Sequence, residues 1–174
     1  MIKALHKLPA RNEQTGLVNV VVDSPKGSRN KYKFNSEMQI WELTKLLPLG
    51  ASFPFDFGFV PSTKAEDGDP LDVLVVSEEP SFVGCVLPCL LIGVLEAEQT
   101  EDKETIRNDR LVAVIETEYN PPLFRSLDEL GDSRLQEIEH FFVSYNQMEG
   151  REFKVLARRG PQHVEKLLQE ALQR

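Results

Sequence analysis

"EDGDPLDVLVV" occupies residues 66–76. Glu66, Asp67, Asp69 and Asp72 place four carboxylates within seven positions, and an apolar run follows at once. Crowded carboxylates repel one another, so this cluster at the mouth of a buried element needs a reason. "LDVLVVS" (71–77) lacks the alternation of a half-solvated strand. It predicts a strand buried on both faces, with the acidic turn at its entrance.

Further strands are predicted on either side. "LVNVVVDS" (17–24), "NKYKFN" (30–35), "QIWEL" (39–43), "VLPCLLIGVLEAE" (86–98) and "RLVAVIET" (110–117) all read as β. The turn "SPKGSR" precedes 30–35, and 39–43 is expected to pair with it. "QTEDKETIRND" reads as a charged loop. Helical spacing comes late, at Leu135, Ile138, Phe142 and Tyr145, with Ser133 and Gln136 as a capping box and Gly150 as a stop. "REFKVLA" (151–157) predicts a last strand. Pro161 then opens a helix with Val164, Leu167, Leu168, Ala171 and Leu172 on one stripe. Strands at short spacing followed by two helices suggest a small barrel with helices packed on it, in one domain over residues 1–174.

Composition narrows the function. The chain has 174 residues, 41% apolar and 28% charged, which is ordinary for a globular domain. Its net charge of −8 opposes a general nucleic-acid partner. The N-terminus "MIKALHKLPARNEQTG" has no apolar core of signal-peptide type. The longest apolar run (86–95) is half a membrane span and contains Pro and Gly, so a cytoplasmic protein without a membrane partner is expected. Cys85 and Cys89, if in one strand, stand roughly 13 Å apart, too far for a disulfide, and are expected as buried free thiols. Phe53, Phe55, Phe57 and Phe59 alternate with Pro54, Asp56 and Gly58, as in a packed aromatic strand rather than a base-stacking platform. His6, His140 and His163 are too scattered to suggest a metal site.

The acidic stretch itself has three readings. One is a solvated Asp/Gly/Pro turn. A calcium loop beginning at Asp67 would place Glu78 at its twelfth position. It fails because strand residues fill the intervening positions and no glycine stands sixth. The third is a Mg2+ site, where hard oxygen ligands bind a hard ion that relieves their repulsion. Several carboxylates around Mg2+ point towards phosphate chemistry.

"DGDPLDVLV" (67–75) resembles the signature of the family I soluble inorganic pyrophosphatases: Asp, a small residue, Asp, Pro, an aliphatic and Asp entering a strand. "VVVDSPKGSRNKYKF" (20–34), "FPFDFGFVPST" (53–63), "GVLEAE" (93–98), "RLVAV" (110–114) and "IEHFFVSYNQMEGREFKV" (138–155) resemble other segments of that family. The resemblance covers the chain from about residue 17. It implies a mainly β fold with α, a small five-stranded OB-like barrel with two packed C-terminal helices. It also implies Mg2+-dependent hydrolysis of inorganic pyrophosphate by a metal-activated water, with Mn2+ as a further candidate ion. Carried over residue by residue, Asp69 would be the base, and Asp67 and Asp72 metal ligands. Asp23 would stand where the family has a Glu near the metals. Lys31, Lys45, Arg110 and Tyr145 would bind phosphate. Without the resemblance, Tyr145 fits a core position and Lys31 with Lys33 a solvated hairpin end.

The chain departs from the family at several of these places. Lys33 replaces a Glu, and Lys45 replaces an Arg and loses its bidentate fork. Phe53 and Phe57 lack two tyrosine hydroxyls, and Asn146 replaces a Lys. Asn108 replaces a metal-binding Asp, and an ungapped alignment puts Gln99 at another. Asp102, in the charged loop, is the candidate to fill that place. Asp109 is adjacent, but a one-residue slip reverses its face. Two alternatives follow: a weakened or silent relative acting as a binding or regulatory subunit, or a diverged hydrolase of another diphosphate. The resemblance further implies a homo-oligomer, with a hexamer favoured, because His140 is similar to a histidine at subunit contacts in bacterial members. Phe141 and Phe142 point about 100° apart, so one is expected to meet the barrel edge or a neighbouring subunit.

Overall fold

Five strands close into a ring. β1 (Val18–Ser24) pairs with β4 (Asp56–Phe59), and β4 pairs with β5 (Asp72–Val76). β5 pairs with β8 (Arg110–Ile115), β8 with β6 (Val86–Glu101), and β6 returns to β1. Only the β5–β8 pair of this ring is parallel. The computed structural model describes residues 5–173, so the first four residues of the N-terminal stretch considered above lie outside it. The architecture is mainly β with α, a closed five-stranded ring of the OB-like kind.

Two apolar clusters explain the continuous run at 72–76. Val73 and Val75 face one cluster with Val20, Val22, Leu111 and Ala113, covered by α3 (Pro161–Gln173) through Val164, Leu168 and Ala171. Leu74 and Val76 face the other, with Ile92, Leu95, Val112 and Val114. That side is covered by α2 (Asp132–Met148) through Leu135, Ile138, Phe142 and Tyr145. Each strand position is therefore apolar whichever face it serves, and each large side chain so buried stabilises by about 1.5–3 kcal/mol. β1 and β4 approach so closely that a Cβ at Gly58 would stand 2.0 Å from the Val21 carbonyl oxygen.

β6 runs for sixteen residues and carries two additions to the ring, β7 (Glu104–Arg107) and β9 (Glu152–Arg159). β2 (Asn30–Asn35) and β3 (Ile40–Leu46) pair as expected, in a separate two-stranded sheet. A short α1 (Leu127–Leu130) precedes α2.

Two local expectations are corrected and a third is narrowed. The charged segment after 98 is a hairpin: β6 continues to Glu101, and Asp102 and Lys103 turn with φ of 49° and 69°. Paired left-handed residues suit a two-residue hairpin, but Asp-Lys lacks the glycine that signals one. The capping box does not form, because α2 starts two residues earlier than a Ser133 cap would set it, with Gly131 at its cap; Gln136 instead donates to Asp132 Oδ2 at 3.2 Å. Phe141 is half-buried within the chain, with ring centroids 5.6 Å from Phe53 and 5.8 Å from Tyr145. The adjacent phenylalanines thus need no neighbouring subunit. Cys85 and Cys89 are free, and burial pushes the Cys89 thiol pKa up.

Candidate active site

The acidic turn is built by local hydrogen bonds. Asp67 Oδ1 accepts the Asp69 backbone N–H at 3.0 Å, and the Ala65 N–H donates to the Asp69 carbonyl at 2.7 Å. Gly68, at φ +89°, supplies the left-handed position that closes the turn. The Leu71 N–H donates to the buried Thr63 Oγ1 at 3.0 Å, so β5 leaves the turn in a fixed direction, with Asp72 as its first residue opposite Phe59. The Asp67 pKa is raised by partial desolvation first, and then by the Asp72 and Asp69 carboxylates.

A lysine wall faces this turn. Lys31 and Lys33 lie on β2, and Lys45 pairs with Lys31 across the hairpin. Between the walls is a cleft of about 490 Å³ that Asp23, Lys31, Lys33, Lys45, Asp67, Asp69 and Asp72 all line. Asp23, near the end of β1, accepts from the Ser24 hydroxyl at 2.6 Å. Burial pushes the Asp23 pKa up to about 7; the Ser24 hydrogen bond and Lys31 oppose the rise, and Asp72 adds to it.

α2 presents Tyr145 to the lysines. Lys31 Nζ donates to Tyr145 Oη at 3.3 Å, and both Lys31 and Lys45 stand 5.5 Å above the Tyr145 ring. Burial raises the Tyr145 pKa, so its hydroxyl stays protonated at neutral pH. Lys45 is ion-paired with Glu149, whose other oxygen takes Arg151 at 3.2 Å. Glu149 was not foreseen in the sequence. Its signal is its place four residues after Tyr145, on the same face of the helix.

Arg110 stands behind Asp72, on a smaller cavity beside the acidic turn. Only 6% exposed, its guanidinium carbon stands 5.6–5.9 Å from the Phe57, Phe142 and Phe153 ring centres. Its Nη1 is bonded to Asp72 Oδ2 and donates to Asn108 Oδ1 at 2.5 Å. Asn108 Nδ2 donates in turn to Gln99 Oε1 at 2.8 Å. Asp109 serves elsewhere, accepting the Ala97 N–H at 2.9 Å and Arg107 Nε at 2.6 Å. Asp102 does not reach the cleft; the hairpin turn holds it exposed at the tip. The structure thus gathers Asp23, Lys31, Lys45, Asp67, Asp69 and Asp72 around one cleft, sets Tyr145 against Lys31 and Arg110 against Asp72 beside it, and leaves Asp102 out.

These residues suit a divalent ion on one side only. Asp67, Asp69 and Asp72 are hard oxygen donors whose mutual repulsion a cation would relieve. Among the described residues, no three His, Cys, Asp or Glu converge on a closed metal site. An open edge of one or two carboxylates is how Mg2+ is commonly held, with waters and phosphate oxygens completing its shell. On the inner side, neutral amides and a guanidinium occupy the positions, and they do not fit a divalent ion.

Residues 20–174 match the family model described as inorganic pyrophosphatase. The chain belongs to the inorganic pyrophosphatase family. This is a family of hydrolases, metal-dependent in general. An inorganic pyrophosphatase of Synechocystis sp. is 34% identical over 168 residues, which cover 97% of this chain and 96% of that protein. One from Methanosarcina acetivorans is 35% identical over 156 residues, 90% of each chain. The crystal structure of the Thermus thermophilus inorganic pyrophosphatase superposes with a TM-score of 0.87 at 29% identity, covering 98% of this chain and 97% of that one. No helix among the described residues of this pyrophosphatase-family chain is long and apolar enough to cross a membrane.

Proposed function

We propose that the protein hydrolyses inorganic pyrophosphate, or a closely related diphosphate, as a single domain over residues 1–174 working in the cytoplasm with Mg2+ or Mn2+. The observation that carries this reading is the acidic wall of Asp67, Asp69 and Asp72 facing Lys31, Lys33 and Lys45 across one cleft. A dianionic phosphate group fits the lysine wall, and a divalent ion fits the carboxylate wall.

Asp67 and Asp72 would hold the ion, which lowers the pKa of a water and screens phosphate charge when bound. Asp69 spends its backbone N–H on the turn and keeps its carboxylate at the cleft, where it takes the proton of the attacking water. Lys31 binds a phosphate oxygen, with the Tyr145 hydroxyl beside it as a second donor. Lys45 joins on release from Glu149. Arg110 fixes one oxygen of Asp72 and leaves the other to the cleft.

A second reading, a silent relative that binds a diphosphate without cleaving it, is favoured by the Gln99–Asn108–Arg110 arrangement. Phosphate release from pyrophosphate with Mg2+, then Mn2+, separates the two. Release well above background supports hydrolysis. Background release from folded protein supports the silent reading, and faster release from a nucleoside diphosphate would point to a diverged substrate. The same reading includes a homo-oligomer, with a hexamer favoured, joined at the α2 face where exposed His140 and Val143 lie one turn apart. The net charge of −8 and the acidic wall oppose nucleic acid as a partner.

A further inference from the structure

We infer that Arg110 is a built-in cation that holds the inner edge of the cleft in place of a second divalent ion, so that the acidic loop takes one ion per chain. This rests on the reading of Asp67 and Asp72 as metal-holding residues.

The guanidinium is held by its ring neighbours and by the bonds of Nη1, while its buried Nε has no hydrogen-bond partner. Its backbone opens β8 and pairs with Leu95 of β6. Three aromatic rings surround it, and their electron-rich faces favour a cation. An arginine this buried needs charge compensation, and Asp72 Oδ2 supplies it. The same Nη1 reaches Asn108 Oδ1, and Asn108 passes its own N–H to Gln99. Donation therefore runs outward from Arg110, to Asp72 on one side and through Asn108 to Gln99 on the other. The Asn108 and Gln99 side-chain oxygens are both engaged in these bonds.

A second ion at this edge would have to detach the guanidinium from Asp72 and displace hydrogen bonds from both amide oxygens. It would gain neutral ligands, weaker for a hard ion than carboxylates, and would stand beside a buried arginine charge. The free space there is a cavity of about 60 Å³, which Asp67, Asp72, Asn108 and Arg110 help to line. The outer edge differs. Asp67, Asp69 and Asp72 line the large cleft, and among the described residues no cation is ion-paired with Asp67 or Asp69.

The test counts ions without turnover. Mn2+ is titrated into the full chain in the absence of any diphosphate, with free Mn2+ read by electron paramagnetic resonance. The expected count is one per chain, weakened about 10-fold or more by Asp67→Asn. Asn108→Asp alone should leave the count at one, because the guanidinium turns to the new carboxylate. Asn108→Asp combined with Arg110→Met should raise it to two. A parent that takes two or more ions, or none, overturns the inference. So does a second ion in Asn108→Asp alone, or a folded double variant that still takes one. Should the double variant fail to fold, the parent and the single variant decide. Phosphate release is measured alongside: one ion without release removes hydrolysis and leaves this inference standing, and two ions with release does the reverse.

Discussion

Asn108 donates its side-chain amide to Gln99 Oε1 at 2.8 Å, with Gln99 buried at 8% exposure. The two residues complete each other, and Asn108 also accepts from Arg110. Two carboxylates at these places would repel, and two amides attract. Asn108→Ala should therefore destabilise the fold by about 1–3 kcal/mol, since it strands a buried acceptor and loosens a buried cation. Urea denaturation measures this, and a change within about 0.5 kcal/mol would make the pair incidental.

Asp69→Asn keeps the shape of the acidic turn, because that turn uses the Asp69 backbone and not its carboxylate. Turnover on pyrophosphate should fall by about 10²–10⁴, the usual worth of a positioned base. Mn2+ affinity should change far less. Equal losses in both would assign Asp69 to ion binding instead.

Asp23 gives a pH dependence with a definite sign. Its folded pKa of about 7 lies above the ordinary 3.8. The stability it contributes is complete below 3.8 and is lost as pH rises through about 7. Asp23→Asn should thus stabilise the metal-free protein at pH 8, on the order of 2 kcal/mol, with no gain near pH 3. Melting temperatures of both proteins across this range check it. A variant equally stabilised at every pH would place the effect outside ionisation.

Glu149 restrains the phosphate wall by pairing with Lys45 and Arg151. Glu149→Gln should free Lys45 for an anion. Inorganic phosphate, titrated by calorimetry, should bind about 3- to 10-fold more tightly, equivalent to roughly 0.7–1.4 kcal/mol. Weaker binding would show that Glu149 positions Lys45 for the anion.

Light scattering at micromolar concentration should find an assembly larger than the single chain, loosened by His140→Glu on the exposed face of α2. A monomer in the parent would remove the α2 face as an interface.

Legibility in the sequence followed the range of the forces involved. The β5 run, the α3 stripe as far as Ala171 and the 30–43 hairpin were readable because burial imposes a period on neighbouring residues, whereas Leu172, expected on that stripe, lies exposed. The acidic wall was readable because Asp67, Asp69 and Asp72 are close in the chain. Glu149 beside Lys45, and Arg110 among Phe57, Phe142 and Phe153, join residues distant along the chain; the four-residue step from Tyr145 marks Glu149 but not its partner. The Asp102–Lys103 turn hid for another reason: its left-handed conformations lack the glycine that marks them.

β6 is bordered on one side first by β1, at Val86–Cys89, and then by β9, at Val94–Thr100. The opposite border is taken by β8 and then by β7. During synthesis β1 emerges long before β6, and β7 and β8 soon after it, but β9 comes about fifty residues later. For that interval the outer half of β6 has a row of backbone donors and acceptors without a partner, an edge on which another nascent chain can add a strand. Glu96 and Glu98 lie along that row. Charges set into an open strand discourage such pairing, and Glu96 and Glu98 put two of them on this one.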